Sequence, residues 1–194
     1  MSKAERTREF IVEKTAPIFN MKGVAGTSLT DMTEATGLTK GSIYGNFANK
    51  DEVALACFDH NFKKVGSILR REMAMQTSTR DKLLVYSSVY EDFLKHPFPV
   101  GGCPILNTAI DADDTHTPLK KKACDAITGW KNSIIGLVEK GIENKEFGEC
   151  NNAEQVALTV IAMIEGGIMI SKLTGKLNYM KLVMQSVAAY INTL

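Results

Sequence analysis

The segment from residue 39 to residue 50, TKGSIYGNFANK, concentrates groups that can bind an anion. Its polar donors include two hydroxyls, one phenol and two ammonium groups: Thr39, Ser42, Tyr44, Lys40 and Lys50. Such side chains bond phosphate oxygens, and the shorter ones also reach the edges of bases. Gly41 carries no Cβ, so its backbone N–H can come close to a phosphate. The segment therefore indicates a binding surface for a polyanion, provided that the fold exposes it.

Residue types that support catalysis or metal binding are scattered along the chain. The cysteines form no Cys-x-x-Cys pair and show no spacing typical of metal ligands. The histidines are equally isolated, and neither a His-Glu-x-x-His pattern nor a glycine-rich phosphate loop occurs. These residues are Cys57, Cys103, Cys124, Cys150, His60, His96 and His116. The sequence therefore predicts free thiols, no metal site, no cofactor and no enzymatic activity.

Charge and hydropathy limit the classes of partner. The formal net charge is +1, so the whole chain does not attract polyanions and any such surface must be local. The N-terminal MSKAERTREF leads into no uninterrupted apolar stretch, so no signal peptide is expected. The most apolar run, residues 156–170, contains Glu165 and two glycines and falls short of the roughly 18 apolar residues of a membrane span. We expect a cytoplasmic protein without a membrane partner.

Nearly the whole chain shows helical periodicity. A first helix runs from Lys3 to about Asn20, and Gly23 and Gly26 end it. Residues suited to helix capping then mark three further N-termini. They are Ser28 with Asp31 before a helix ending at Thr36, Thr39 before a short helix, and Asn49 with Glu52 before a helix from Lys50 to about Met75.

Five more helical stretches follow, at about residues 79–95, 104–112, 117–145, 153–174 and 176–193. The clearest breaks are residues 96–102 and 113–118, where Pro118 is suited to a first helical position. No segment shows convincing strand alternation. The sequence predicts an all-α protein of about nine helices. It divides into an N-terminal three-helix domain, residues 1–50, and a larger helical domain, residues 51–194.

Two short helices joined at Gly37-Leu38 are typical of a helix-turn-helix. The second helix of that motif presents its N-terminal residues to the major groove of DNA. Ile43 and Phe47, four residues apart, would face the core with Leu29, Met32, Ala35 and Leu38. The residues expected to contact DNA are Ser28, Thr39, Lys40, Gly41, Ser42, Tyr44, Gly45, Asn46 and Lys50.

Residues 27–54, TSLTDMTEATGLTKGSIYGNFANKDEVA, resemble the DNA-binding segment of the TetR family of bacterial repressors. The matching positions are Thr27-Ser28, Gly37-Leu38, Lys40 to Tyr44, Phe47 and Lys50, with Phe10, Phe19 and Gly23 in the preceding helix. Thr33 departs from the usual alanine of the family. Gly45 and Asn46 replace the bulkier pair that often follows the tyrosine, which leaves the DNA contacts at these two positions open.

The resemblance implies a second domain that binds a small molecule and forms a homodimer. Residues 153–170 and 181–191 are apolar on more than one face, which fits a four-helix bundle between two subunits or, alternatively, an internal core. A two-fold dimer would bind a palindromic operator in double-stranded DNA. Repression released by an effector is the outcome that the resemblance favours, with activation as the alternative.

Large residues in the middle of the second domain are candidates for the effector pocket, although each would also suit an ordinary core. They are Tyr86, Tyr90, Phe93, Phe98, Trp130 and Met163. The segment GGCPILN, residues 101–107, resembles a Gly-Cys-x-hydrophobic-x-Asn segment of TetR-like regulators that include sensors of electrophiles or oxidants. Cys103 precedes a helix that Pro104 would begin, so a thiol-reactive species is an alternative effector and a small buried residue is the simpler interpretation.

Two other classes of protein remain as alternatives. A helical adaptor that binds only protein would account for the second domain, but it would leave Tyr44, Lys50 and the close approach allowed by Gly41 without a purpose. A small helical enzyme would require a catalytic group of side chains, which the sequence does not offer. Salt-dependent binding to DNA distinguishes the regulator from both.

Overall fold

The computed structural model describes residues 2–112, 116–149 and 152–194. Residues 113–115 of the predicted break and Cys150 lie outside the described residues. Within these ranges the structure consists of nine α-helices and one short 3-10 turn and contains no strand. The helices are α1 (Lys3–Gly26), α2 (Leu29–Thr36), α3 (Lys40–Tyr44), α4 (Lys50–Ala74), α5 (Thr79–Glu91), α6 (Pro104–Ala112), α7 (Thr117–Glu143), α8 (Ala153–Thr174) and α9 (Leu177–Asn192). The predicted all-α class is confirmed.

The predicted N-terminal caps are present, and they set where the short helices begin. The Ser28 hydroxyl accepts from the Asp31 N–H, the Thr39 hydroxyl from the Ser42 N–H, and the side-chain oxygen Oδ1 of Asn49 from the Glu52 N–H. Gly37 ends α2 in the left-handed conformation, as expected.

Three details differ from the prediction. The Glu52 carboxylate accepts the N–H of Ala48 rather than that of Asn49. α7 begins at Thr117, so Pro118 is its second residue. The predicted helix 79–95 divides into α5 and a 3-10 turn, Phe93–Lys95.

Two compact units make up the chain. Unit 1 contains residues 1–64 and 99–125, and unit 2 contains residues 65–98 and 126–194. α4 and α7 each supply a segment to both units. The sequence placed the domain boundary at residue 50, whereas unit 1 extends further along α4 and includes α6 with the start of α7.

α1 continues past its predicted end and breaks at Gly23, where φ is +68°. The break frees the N–H of Val24, which donates to the Asp111 carboxylate of α6 at 3.0 Å. The carbonyl oxygens of Val24 and Thr27 accept from the Lys50 ammonium group at 2.8 and 3.1 Å. Unpaired backbone groups are costly, so the groups freed at the break require these partners. Their bonds join α1, α4 and α6 at one point.

Two asparagines attach the loop before α6 to α1. The Asn20 amide nitrogen donates to the carbonyl oxygens of Val100 and Gly102 at 2.7 and 3.0 Å. The Asn107 amide nitrogen donates to the carbonyl oxygens of Asn20 and Gly101 at 3.0 and 2.9 Å. These bonds attach the loop before α6 and the first turn of α6 to α1, within unit 1.

The core of unit 1 lies where α1, α2 and α3 meet, and α1 also packs on α6. Its fully buried members include Ile11, Ala16, Met32, Ile43 and Phe47. The other predicted core residues, Leu29, Ala35 and Leu38, are half-buried. In unit 2, α9 packs on both α5 and α8. Its core includes Leu83, Val89, Ile134, Val138, Ile164, Met184 and Ile191.

α8 is more apolar than the sequence analysis predicted. By length and composition, Ala153–Thr174 would suffice to cross a membrane, which contradicts the expectation that no segment would. The glycines and the single glutamate of residues 156–170 lower the hydropathy too little to prevent this. The same composition also suits a helix that is buried on two faces in a water-soluble protein.

We expect Gly23→Ala to lower the free energy of unfolding by at least about 1–3 kcal/mol, because a side chain is strained at positive φ. Its Cβ would also collide with the Asp111 carboxylate. The matched control is Gly129→Ala in α7, where a Cβ meets nothing within 4 Å and helix propensity predicts a gain of up to about 1 kcal/mol. Chemical denaturation measures both. Equal stability of the two variants would contradict the assigned role of the break.

Candidate nucleic-acid interface

α3 and the turn before it present one exposed polar face. Ile43 is fully buried beneath it, and Phe47 follows at 2% exposure, so the remaining side chains of the segment lie toward the outside. Ser28, Thr39, Lys40, Gly41 and Gly45 are exposed. Ser42, Tyr44, Asn46 and Lys50 are half-buried. Seven of the nine predicted DNA contacts thus lie in α3 or directly beside it in the chain, whereas Ser28 caps α2 and Lys50 begins α4.

The two glycines of this segment have different environments. A Cβ on Gly41 would have its nearest neighbour at 3.9 Å, the Thr39 hydroxyl oxygen, so no internal contact requires glycine there. A Cβ on Gly45 would lie 3.1 Å from the carbonyl oxygen of Gly41, which is close for any side chain. Gly45 is therefore explained by the end of α3, whereas Gly41 keeps the outer surface open.

Asn46 bonds back to the helix that it follows. Its side-chain amide nitrogen donates to the main-chain carbonyl oxygen of Ser42 at 2.8 Å. Its main-chain carbonyl oxygen accepts from the Arg8 guanidinium group at 2.5 Å. Asn46, which was predicted to contact DNA, therefore bonds to the protein at the end of α3.

Arg8 of α1 is a residue that the sequence reasoning missed. Besides the Asn46 carbonyl oxygen, its guanidinium group contacts the Glu52 carboxylate at 2.5 Å and lies 3.9 Å above the centre of the Phe47 ring. Hydrogen bonds from the Ala48 N–H and then from Arg8 lower the pKa of Glu52. Arg8 thereby joins α1, the end of α3 and the first turn of α4.

The ammonium group of Lys50, which was predicted to contact DNA, bonds to the protein itself. Its ammonium group bonds the Val24 and Thr27 carbonyl oxygens at the end of α1, so these two acceptors direct it into unit 1. At the start of α2, the hydrogen bond from the Lys22 ammonium group, with those from Ser28, holds the pKa of Asp31 well below its usual value. These charged contacts fix the ends of the helices that display the exposed face.

Known proteins share both halves of this arrangement. Residues 11–57 match the family described as bacterial regulatory proteins, tetR family, and residues 79–187 match the tetracyclin repressor-like C-terminal domain. The chain belongs to the TetR family.

Its relatives are transcriptional regulators. A TetR-family regulator from Cytophaga hutchinsonii is 51% identical, with a TM-score of 0.94 over 98% of this chain and 96% of that one. A TetR regulator from Chloroflexus aurantiacus is 37% identical, with a TM-score of 0.93 and the same coverage. An HTH-type transcriptional regulator from the lacX 3′ region of Lactococcus lactis is 28% identical over 90% of this chain and 88% of that protein. This chain is accordingly a DNA-binding transcriptional regulator with a TetR helix-turn-helix.

The candidate effector residues of this TetR-family regulator lie in two places. Tyr86, Tyr90, Phe98 and Trp130 form an aromatic cluster in unit 2, with ring centroids 5.3 Å apart for Tyr90 and Phe98 and 6.1 Å apart for Tyr86 and Trp130. His96, which the prediction omitted, meets Phe98 edge-on at 6.3 Å. Burial raises the pKa of Tyr86. Phe93 and Met163 are half-buried in the same unit.

The cysteines in the described ranges are free thiols: Cys57, Cys103 and Cys124. Cys103 belongs to unit 1, is 8% exposed and directly precedes α6, as predicted. Cys57 is fully buried beside Thr15, and this burial raises its pKa to about 12. Cys124 alone of these three is exposed.

We expect Arg8→Ala to weaken operator binding about tenfold or more, because the end of α3 loses its link to α1. The unfolding free energy should fall by about 1–2 kcal/mol, since the lost bonds are charged but partly exposed. Arg6→Ala, on the exposed surface of the same helix, is the matched control. Fluorescence anisotropy and circular dichroism measure the two effects. Unchanged DNA affinity in Arg8→Ala would disprove the positioning role.

Proposed function

We propose that the chain represses transcription as a homodimer whose two helix-turn-helix motifs bind a palindromic operator, and that a small-molecule effector releases it. The observation that carries this proposal is the exposed face of α3, held from behind by Arg8 and Lys50. A fold relative, CifR, supports it: that protein is 15% identical, has a TM-score of 0.81 over 93% of this chain and 94% of its own, and was solved with a 26-bp double-strand operator. Family membership disfavours the adaptor and enzyme alternatives.

The residues divide into those that touch DNA and those that position them. Thr39, Lys40 and Gly41 are exposed at the start of α3, where hydroxyl, ammonium and backbone N–H groups suit phosphates and base edges. Ser42 and Tyr44 contribute further hydroxyls from α3, and Ser28 contributes one from the start of α2. We assign Gly45, Asn46 and Lys50 to positioning, because their contacts are with the protein itself.

The second copy of the chain is proposed to cover the exposed apolar side of α8 and α9. Large hydrophobic residues on these two helices are 50% exposed or more: Leu158, Met169, Leu173, Leu177 and Leu182. Apolar residues concentrated on one surface mark an interface with protein or membrane. Two helices from each subunit would form a four-helix bundle, in which the length and composition of α8 need no membrane.

The effector is proposed to bind at the aromatic cluster of unit 2. A thiol-reactive species acting on Cys103 remains the alternative, and it would have to reach a thiol that is 8% exposed. Cys103→Ser tests it against Cys124→Ser, which removes an exposed thiol instead. If oxidants and electrophiles release operator DNA equally from wild type and Cys103→Ser, Cys103 is not the sensor.

Fluorescence anisotropy with DNA from upstream of the gene tests the DNA-binding proposal. Affinity for this DNA should exceed that for scrambled DNA by about 4 kcal/mol or more and should fall as salt rises, because phosphate contacts release counterions. Lys40→Ala should reduce the slope of log affinity against log salt by about one unit per subunit. Lys140→Ala, an exposed cation of unit 2, is the control. Equally weak binding of both DNAs at every salt concentration would count against the proposal.

Analytical ultracentrifugation tests the dimer. We expect Leu182→Glu and Leu158→Glu to shift the protein from dimer to monomer and to weaken operator binding, because a carboxylate would be buried in the bundle. Leu94→Glu is the control, since Leu94 is 74% exposed and belongs to the 3-10 turn rather than to α8 or α9. A wild-type monomer, or a dimer that survives both substitutions, would refute the interface.

A further inference from the structure

Unit 1 contains a cavity of its own, separate from the aromatic cluster of unit 2. It lies between the C-terminal part of α1, the N-terminal half of α4, α6 and the first turn of α7. Its volume is about 450 Å³, within the range of roughly 300–1,000 Å³ that small-molecule sites occupy. The helix-turn-helix and this cavity therefore belong to the same compact unit.

The cavity has an apolar wall and a wall of uncharged polar groups. Phe19, Phe58 and Leu119 are among its apolar lining residues. Asn61, Asn107 and Thr108 supply carboxamide and hydroxyl groups. This combination suits a ligand with an apolar body and a polar end that can form hydrogen bonds.

The charges of the lining cancel. They are one ammonium group, Lys22, and one carboxylate, Asp111. Lys22 is paired with Asp31 at 2.7 Å, and Asp111 accepts the Val24 N–H at 3.0 Å. Burying a charged ligand here would be unfavourable, because neither group is available as its counter-ion without breaking a structural contact. The lining therefore favours a neutral ligand.

Asn61 is a buried hydrogen-bonding residue of the cavity lining. It is 4% exposed, and its amide nitrogen donates to the Ala16 carbonyl oxygen at 3.1 Å. This bond fixes the orientation of the Asn61 carboxamide. The side-chain oxygen of Asn61 is then the atom that can accept a hydrogen bond from a ligand. A ligand with an N–H or O–H group matches such an acceptor.

Exposed apolar side chains flank the mouth. Met21 on α1 is 55% exposed and Ile110 on α6 is 74% exposed, and both line the cavity. A bound molecule would cover part of both side chains and remove apolar surface from water. The buried carboxamide of Asn61 and the exposed apolar side chains of Met21 and Ile110 thus favour the same amphipathic ligand.

We propose that this cavity binds a small neutral molecule, an aromatic amide or alcohol with one hydrogen-bond donor, and that its occupancy changes operator affinity. α1 forms one wall of the cavity and also carries Arg8, which holds the end of α3. A ligand that prefers one position of α1 shifts DNA affinity by its differential affinity for the two positions. Ligand binding to the cavity does not depend on the proposed function. The effect of the ligand on operator affinity does rest on the proposed function.

Isothermal titration calorimetry of the full chain with acetanilide tests the binding step. Acetanilide should bind, and the charged analogues phenylacetate and benzylamine should bind at least tenfold more weakly. Thr108→Phe fills the cavity and should reduce acetanilide affinity at least tenfold. The matched control is Ala109→Phe, the adjacent exposed residue outside the lining, which should bind as wild type does. Ile110→Gln, at the exposed mouth, should weaken binding several-fold and serves if Thr108→Phe does not fold.

Three results would overturn the site: no acetanilide binding by wild type, equal binding of the charged analogues, or unchanged affinity in both Thr108→Phe and Ile110→Gln. Operator titration with and without acetanilide then tests regulation. A change in operator affinity in wild type that Thr108→Phe abolishes supports it. Acetanilide binding without such a change would refute regulation and keep the site. A protein that binds acetanilide but no operator would refute the proposed function alone.

Discussion

The break in α1 at Gly23 is the constraint on which unit 1 depends. A helix that ends inside a domain leaves backbone groups that must find partners. Here those partners are side chains from α4 and α6, namely Lys50 and Asp111. The same contacts that satisfy the broken backbone therefore also hold the first turn of α4 and the last turn of α6 against α1.

Local rules were sufficient to predict where α2, α3 and α4 begin. Capping acts over three or four residues, so Ser28, Thr39 and Asn49 could be assigned from the sequence, and their hydrogen bonds are present. Burial of Ile43 and Phe47 followed from their spacing. The exposed face of α3 could therefore be predicted once the helix-turn-helix was recognised.

Contacts between distant parts of the chain could not be read in the same way. Arg8 reaches a carbonyl oxygen 38 residues away, and Asn20 reaches one 80 residues away. An arginine in a surface helix has many equivalent uses, and nothing local distinguishes this one. The same limit explains why the bonds from Lys50 to the end of α1 and from Asn107 to α1 were not predicted.

Arg8 and Lys50 bind main-chain oxygens near the motif, those of Asn46, Val24 and Thr27. A carbonyl oxygen is the same whichever side chain its residue carries. The outward side chains of α3 are therefore free to diverge without loss of these supports. Regulators with these contacts can evolve new operator preferences by changing a few surface residues of α3, while the bonds that hold the helix in place stay constant.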